Sequence, residues 1–269
     1  MNATTQNTDQ QKEAAGELKE MTLMDHLGEL RSRLTRSAVA AVLGFLICYA
    51  FSKQLFGIMM MPLMEVMPPE STLIFTGLPE AFFTYVKTAF VAGLFLVSPY
   101  IFYQIWQFIA PGLYEHERKY MIPIAAISAL FFICGALFGY YIVFPFGFEF
   151  FMGYADEMIR PMPSLREYFS FSLKLLLAFG VIFELPLFIF FLARLGLVTP
   201  ASLRKKRKYA ILLSFVVAAI LTPPDGITQI LMSGPLIILY EISIYVAHFF
   251  GKKKKPKPTD DEEEEDAKQ

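Results

Sequence analysis

The chain offers little to redox or metal chemistry: of its 269 residues two are cysteines and three are histidines. Cys48 and Cys134 both fall inside apolar runs, which makes them small buried hydrophobes and not a disulfide framework. His26, His116 and His248 lie in different segments with neither ligand spacing nor a paired nucleophile, so no metal site, cofactor or enzymatic activity is expected. Charge is scarce too. Only 18% of residues are Asp, Glu, Lys or Arg, and they are gathered in clusters, whereas a water-soluble chain of this length scatters charge throughout. The first 30 residues are polar and lack an early apolar segment with a small-residue cleavage site, so no removable signal peptide or Arg-rich transit peptide is expected. No nucleic-acid partner is expected either.

What the chain has in abundance is oil. Hydrophobic residues make up 55% of it and aromatics 16%, in apolar runs of membrane-spanning length from Leu34 to Phe250. The pattern predicts an all-α polytopic membrane protein with six transmembrane helices over 34–53, 81–108, 119–145, 168–193, 209–221 and 227–250. A polar tail (1–20) precedes the membrane domain (21–250), and a charged tail (251–269) containing "KKKKPK" and "DDEEEED" follows it. Lys and Arg cluster before residue 37, at 108–119, at 194–208 and after 250, which accounts for 19 of the 24. The positive-inside rule makes those regions cytoplasmic, so both termini are inside and the loops 54–80, 146–167 and 222–226 face out. The Met- and Pro-rich "MMMPLMEVMPPE" suits a rigid cap over the helices. The fifth helix, Tyr209 to Leu221, covers only about 20 Å of a hydrocarbon layer about 30 Å thick, and the "TPPDG" turn after it lies close to the outer lipid boundary.

Acids in unusual places are the candidate functional residues. In "FGVIFELPLFIFFL" the single acid Glu184 is the tenth of 19 residues if Lys174 marks the outer boundary of its helix, so it lies at mid-membrane. Pro186 frees the Ile182 carbonyl beside it and kinks the backbone. An acid there faces a cavity or a partner, or hydrogen-bonds a neighbouring helix in its protonated form. Glu241, nearer the cytoplasmic end of the sixth helix, is a milder case. Residues 22–36 carry leucines at 23, 27, 30 and 34 and are expected to form a separate interfacial helix whose polar face holds Asp25, Glu29 and Arg33. Glu29 has two readings, an intrahelical pair with Arg33 or a recognition carboxylate. In "PGLYEHERK", Glu115 has Lys119 at i+4, but Glu117 has no local cation; it either stabilises the start of the third helix or recognises a ligand.

These pieces together form a pattern. "HLGELR", "FIAPGLYEHERK", "FELPL" and "LTPPD", in that order across about 21–249, resemble the TatC family, the polytopic core of the twin-arginine protein translocase. The resemblance implies a concave, glove-like set of helices, with helices five and six short, in the bacterial cytoplasmic (inner) membrane. It implies a receptor for the twin-arginine signal peptides of folded cargo, assembled with single-span subunits of the TatA/TatB type in a multimeric complex and driven by the proton-motive force. It carries signal-peptide binding onto Glu29, Arg31, Phe108, Pro111, Tyr114 and Glu117. It carries the intramembrane pocket and partner docking onto Glu184, Thr222, Asp225 and Gln229, with Pro62 in the first outer loop. The chemistry agrees independently: two adjacent guanidinium forks are best told from lysines by two separately anchored carboxylates.

A rival of another class is a proton- or ion-coupled secondary transporter using Glu184 and Glu241 as a relay. It predicts internal symmetry between the halves, and "FELPL" has no counterpart in the first half.

Overall fold

The computed structural model describes residues 23–68, 73–109, 121–154, 161–222 and 226–251, which are almost entirely helical. The first helix, α1 (Leu23–Ala50), is unbroken over 28 residues. The separate interfacial helix expected over 22–36 is therefore not formed. No proline interrupts the passage from the polar turns into the apolar run, so those turns are the projecting end of the first span. At about 42 Å, α1 exceeds the hydrocarbon layer by roughly 12 Å. Its Leu27, Leu30 and Leu34 stripe is exposed.

A short α2 (Ser52–Met64) follows, then α3 (Glu80–Ile109). Next, α4 (Met121–Phe138), a π turn (Gly139–Val143) and α5 (Phe144–Met152) form one apolar span of 32 residues. The fourth span consists of α6 (Leu165–Phe183) and α7 (Leu185–Arg194), separated at Glu184. The remaining helices are α8 (Pro200–Lys205), α9 (Arg207–Leu221) and α10 (Gly226–Phe250). Among the described residues, five spans are long and apolar enough to cross a membrane; α9, with 15 residues, is the short sixth element. The expectation that the sixth helix is short as well is corrected: α10 has 25 residues, close to the 227–250 read from the apolar run, and Pro235 lies inside it.

Lipid gives no hydrophobic drive to bring helices together, so close packing relies on small residues. Gly44 of α1 faces Gly93 of α3, where a Cβ on Gly93 would lie 2.6 Å from the Phe45 backbone nitrogen. Gly135 of α4 meets α6 so closely that a Cβ would lie 2.3 Å from the Phe179 carbonyl oxygen. Around these contacts Phe144, Phe169 and Phe179 are fully buried and form the centre of the main core with Leu63, Leu175 and Leu176.

Helix prolines leave carbonyls without donors, and hydroxyls replace them. Pro99 deprives the Phe95 carbonyl of its helical N–H, and the Ser98 hydroxyl donates to it at 2.8 Å. Pro62, buried in α2, does the same to Ile58, whose carbonyl accepts from the Tyr140 hydroxyl at 2.6 Å. Tyr168 donates to the next carbonyl, Met59. The Met-rich segment, expected as a rigid cap within a loop over 54–80, is helical as far as Met64 and is pinned to the bundle from the side. The loops beyond it are tied together by Glu80. Its carboxylate accepts from the backbone N–H groups of Thr76 at 3.0 Å and Arg166 at 2.7 Å, while Ile74 and Leu165 share a backbone hydrogen bond of 2.8 Å.

Candidate functional site

Two polar places stand out, one at the α1–α3 end and one inside the membrane. At the first, the Arg33 Nε donates to Glu29 Oε1 at 2.8 Å, and a second guanidinium nitrogen binds the same oxygen. The third nitrogen reaches across to α3, donating to Gln104 Oε1 at 3.3 Å and to Gln107. Gln107 in turn donates to the Tyr103 hydroxyl. The rings of His26 and Phe108 stack at 4.4 Å, so the start of α1 and the end of α3 are clamped twice. The intrahelical Glu29–Arg33 pair is real, but it uses only one carboxylate oxygen. Glu29 Oε2 is buried with no hydrogen-bond partner among the described residues. A carboxylate oxygen in that state is a strong acceptor for an incoming donor. Arg31 lies exposed on the same helix. Pro111, Tyr114 and Glu117 lie outside the described residues. The two glutamines were not anticipated; their signal was two amides three residues apart in the otherwise apolar "IFYQIWQFI".

Inside the membrane, Glu184 sits at the break between α6 and α7, its N–H bonded to the Val181 carbonyl at 3.1 Å. Pro186 is in the first turn of α7, so the break falls where the lost donor places it. The helix of this span extends past Lys174. The helix begins at Leu165, because Arg166 and Glu167 project into the loop region, and Glu184 is the twentieth of 30 residues rather than the midpoint. Glu184 is half-buried. Across the interface stands Ser128 of α4, fully buried, which accepts the Trp106 indole N–H at 2.7 Å and faces the Glu184 carboxylate. Glu184 Oε1 is buried without a hydrogen-bond partner among the described residues. Below it, toward Arg194, α4, α7 and α10 line a partly open apolar cavity of about 530 Å³, with Ile127, Pro186 and Phe190 in its wall. Sequence reasoning missed Trp106 and Ser128, because single polar residues on apolar helices give no hint of which helix they face.

The acid of the sixth helix behaves differently. Glu241 accepts from Arg207, at the start of α9, at 2.5 Å on a partly exposed face. It is paired off and does not form a relay with Glu184. At the other end of α9, the Thr222 side chain is buried and donates to the Ala218 carbonyl at 3.0 Å. Gln229 Nε2 donates to the Phe215 carbonyl at 3.0 Å and ties α10 to α9. Asp225 lies outside the described residues. Pro62 lies in α2, buried.

The fold and these sites define a multi-pass helical membrane protein with polar groups at one end of α1–α3 and at a broken span. The family profile described as "Sec-independent protein translocase protein (TatC)" matches residues 25–235. A Sec-independent protein translocase protein TatC from Desulforapulum autotrophicum is 53% identical over 229 residues, 85% of each chain. The protein of the same name from Escherichia coli K12 is 40% identical over 228 residues, 85% of this chain and 88% of that one. A crystal structure of the "Twin Arginine Translocase Receptor- TatC" superposes with a TM-score of 0.76 at 41% identity, covering 83% of this chain and 98% of that one. The chain belongs to the TatC family and is a component of the Sec-independent protein translocase.

Proposed function

We propose that this chain is the receptor of its translocase, taking signal peptides with consecutive arginines at the cytoplasmic α1–α3 end and passing folded cargo outward with single-span partners. The observation that carries this is Glu29. It is held rigidly by Arg33 against α3, with one carboxylate oxygen engaged and the other uncommitted. Guanidinium binds such an oxygen by a charge-assisted hydrogen bond, and Glu117, on the adjacent segment, supplies the second carboxylate. The name of the similar crystal structure, a twin arginine translocase receptor, supports the same role. The clustering of Lys and Arg supports a cytoplasmic position for both termini.

Glu184 with the cavity beside it, and the short α9 with Thr222, Asp225 and Gln229, form the partner-facing part. A short helix thins the bilayer and brings polar side chains within reach of a single-span neighbour. Pro62 acts indirectly, by fixing the outer cap. The test is calorimetry of the detergent-solubilised protein with a signal peptide bearing two arginines and with its two-lysine counterpart. Glu29→Ala and Glu117→Ala should each weaken the arginine peptide, and the double variant should bind no better than background. Undiminished affinity in the double variant would remove the receptor role.

A further inference from the structure

A second groove lies on the opposite half of the membrane from the α1–α3 clamp, and none of the residues assigned above lines it. It is an open cleft of about 400 Å³ between α3 and α6, walled by Phe45, Phe90, Leu173 and Leu177, and lined also by Lys87 of α3 and Lys174 of α6. Both lysines are exposed, and neither takes part in the ion pairs found among the described residues, Glu29–Arg33 and Arg207–Glu241. Two cations on facing helices of one apolar cleft need an explanation, because an ammonium in hydrocarbon is costly unless it reaches a counter-charge.

Their depth identifies the counter-charge. The spans of α3 and of α6–α7 have 30 residues each, so about 7 Å of each projects beyond either side of the hydrocarbon. Lys87 is seven residues into its span and Lys174 nine, which places their Cα atoms roughly 3 Å and 6 Å below the boundary. A four-carbon stem snorkels back over that distance to the level of the lipid phosphates. A carboxylate on a partner helix would have to be desolvated at this depth, whereas lipid phosphates stand at the boundary that the ammonium groups reach.

We propose that this cleft is a binding site for an anionic phospholipid of that leaflet, its phosphate held between Lys87 and Lys174 and an acyl chain lying against Phe45, Phe90, Leu173 and Leu177. The lipid would bridge α1, α3 and α6 on the side where their loops are joined by Glu80.

The full-length protein in nanodiscs of equimolar phosphatidylglycerol and phosphatidylcholine, released and weighed by native mass spectrometry, should retain phosphatidylglycerol preferentially. Lys87→Gln/Lys174→Gln should lower that preference by about fivefold per lysine, on the order of twentyfold for the pair, with the melting temperature recorded to confirm folding. Lys87→Arg/Lys174→Arg should keep the preference, as should the charge-matched Lys205→Gln/Lys206→Gln. No preference in the wild type, an undiminished preference in the glutamine pair, or an equal loss in Lys205→Gln/Lys206→Gln would overturn the site. A photocrosslinker at Phe90 in native membranes should yield a lipid adduct; a polypeptide adduct would show that a partner helix occupies the cleft and would also overturn it.

Discussion

Glu29 and Arg33 touch each other, yet their replacement should have opposite consequences, and that separates recognition from scaffolding. Arg33 bonds Gln104 and Gln107 as well as Glu29. Losing two half-buried hydrogen bonds of about 0.5 to 1.5 kcal/mol each, together with an i,i+4 pair of about 0.3 to 0.5, costs Arg33→Ala about 1.3 to 3.5 kcal/mol. For a chain of this size that corresponds to a fall of roughly 3 to 14 °C in melting temperature. Glu29→Gln keeps an oxygen for Arg33 and leaves the glutamine contacts alone, so its stability should stay within about 0.5 kcal/mol of wild type. Its affinity for an arginine-bearing signal peptide should fall by about 1.5 to 3 kcal/mol, roughly 10- to 150-fold, because the amide that keeps its oxygen on Arg33 presents NH2, a donor, where the incoming guanidinium needs an acceptor. Arg33→Ala should hold or improve that affinity, since it frees both oxygens of Glu29. Differential scanning fluorimetry and calorimetry on the same detergent preparations measure the two quantities. Equal losses of affinity in both variants, or none in Glu29→Gln, would refute the reasoning and leave Glu29 as Arg33's structural mate.

Three further outcomes are expected. Glu184→Gln should preserve melting temperature and signal-peptide binding, while Glu184→Ala should reduce cargo export in membrane vesicles more than it reduces stability; a stability loss proportionate to the export loss would mark Glu184 as an anchor for Ser128 and α4. Tyr140→Phe removes the donor to the Ile58 carbonyl and should cost about 0.5 to 1.5 kcal/mol, seen as a lower melting temperature and earlier proteolysis within 52–64; a Tyr140→Phe variant as stable as wild type would mean that carbonyl is otherwise satisfied. Gly135→Ala should destabilise by about 1 to 3 kcal/mol through its clash with the Phe179 carbonyl, whereas Gly147→Ala, which meets nothing within 4 Å, should be neutral or slightly stabilising in the same thermal assay.

Much of this architecture is local in origin and therefore legible in the sequence. The apolar runs and the shortness of α9 follow from composition along a single stretch of chain, and Pro186 marks the break beside Glu184 because a missing N–H acts within one helical turn. The Glu29–Arg33 pair is likewise an i,i+4 contact, visible as spacing. Even local reading has limits. It divides α1 into an interfacial piece and a span, although the polar-to-apolar change at residue 34 alters which solvent the helix meets and not its backbone. What only the tertiary structure decides is which helix each solitary polar group faces. Arg33 finds Gln104 71 residues away, Glu241 finds Arg207 34 residues away, and Ser128 stands between Trp106 and Glu184. Those meetings depend on the crossing and rotation of helices, set by glycine contacts such as Gly44 with Gly93 and Gly135 with Phe179, where removing a side chain lets two backbones touch. Periodicity records that a residue lies on one face of its own helix; only close packing determines what stands opposite.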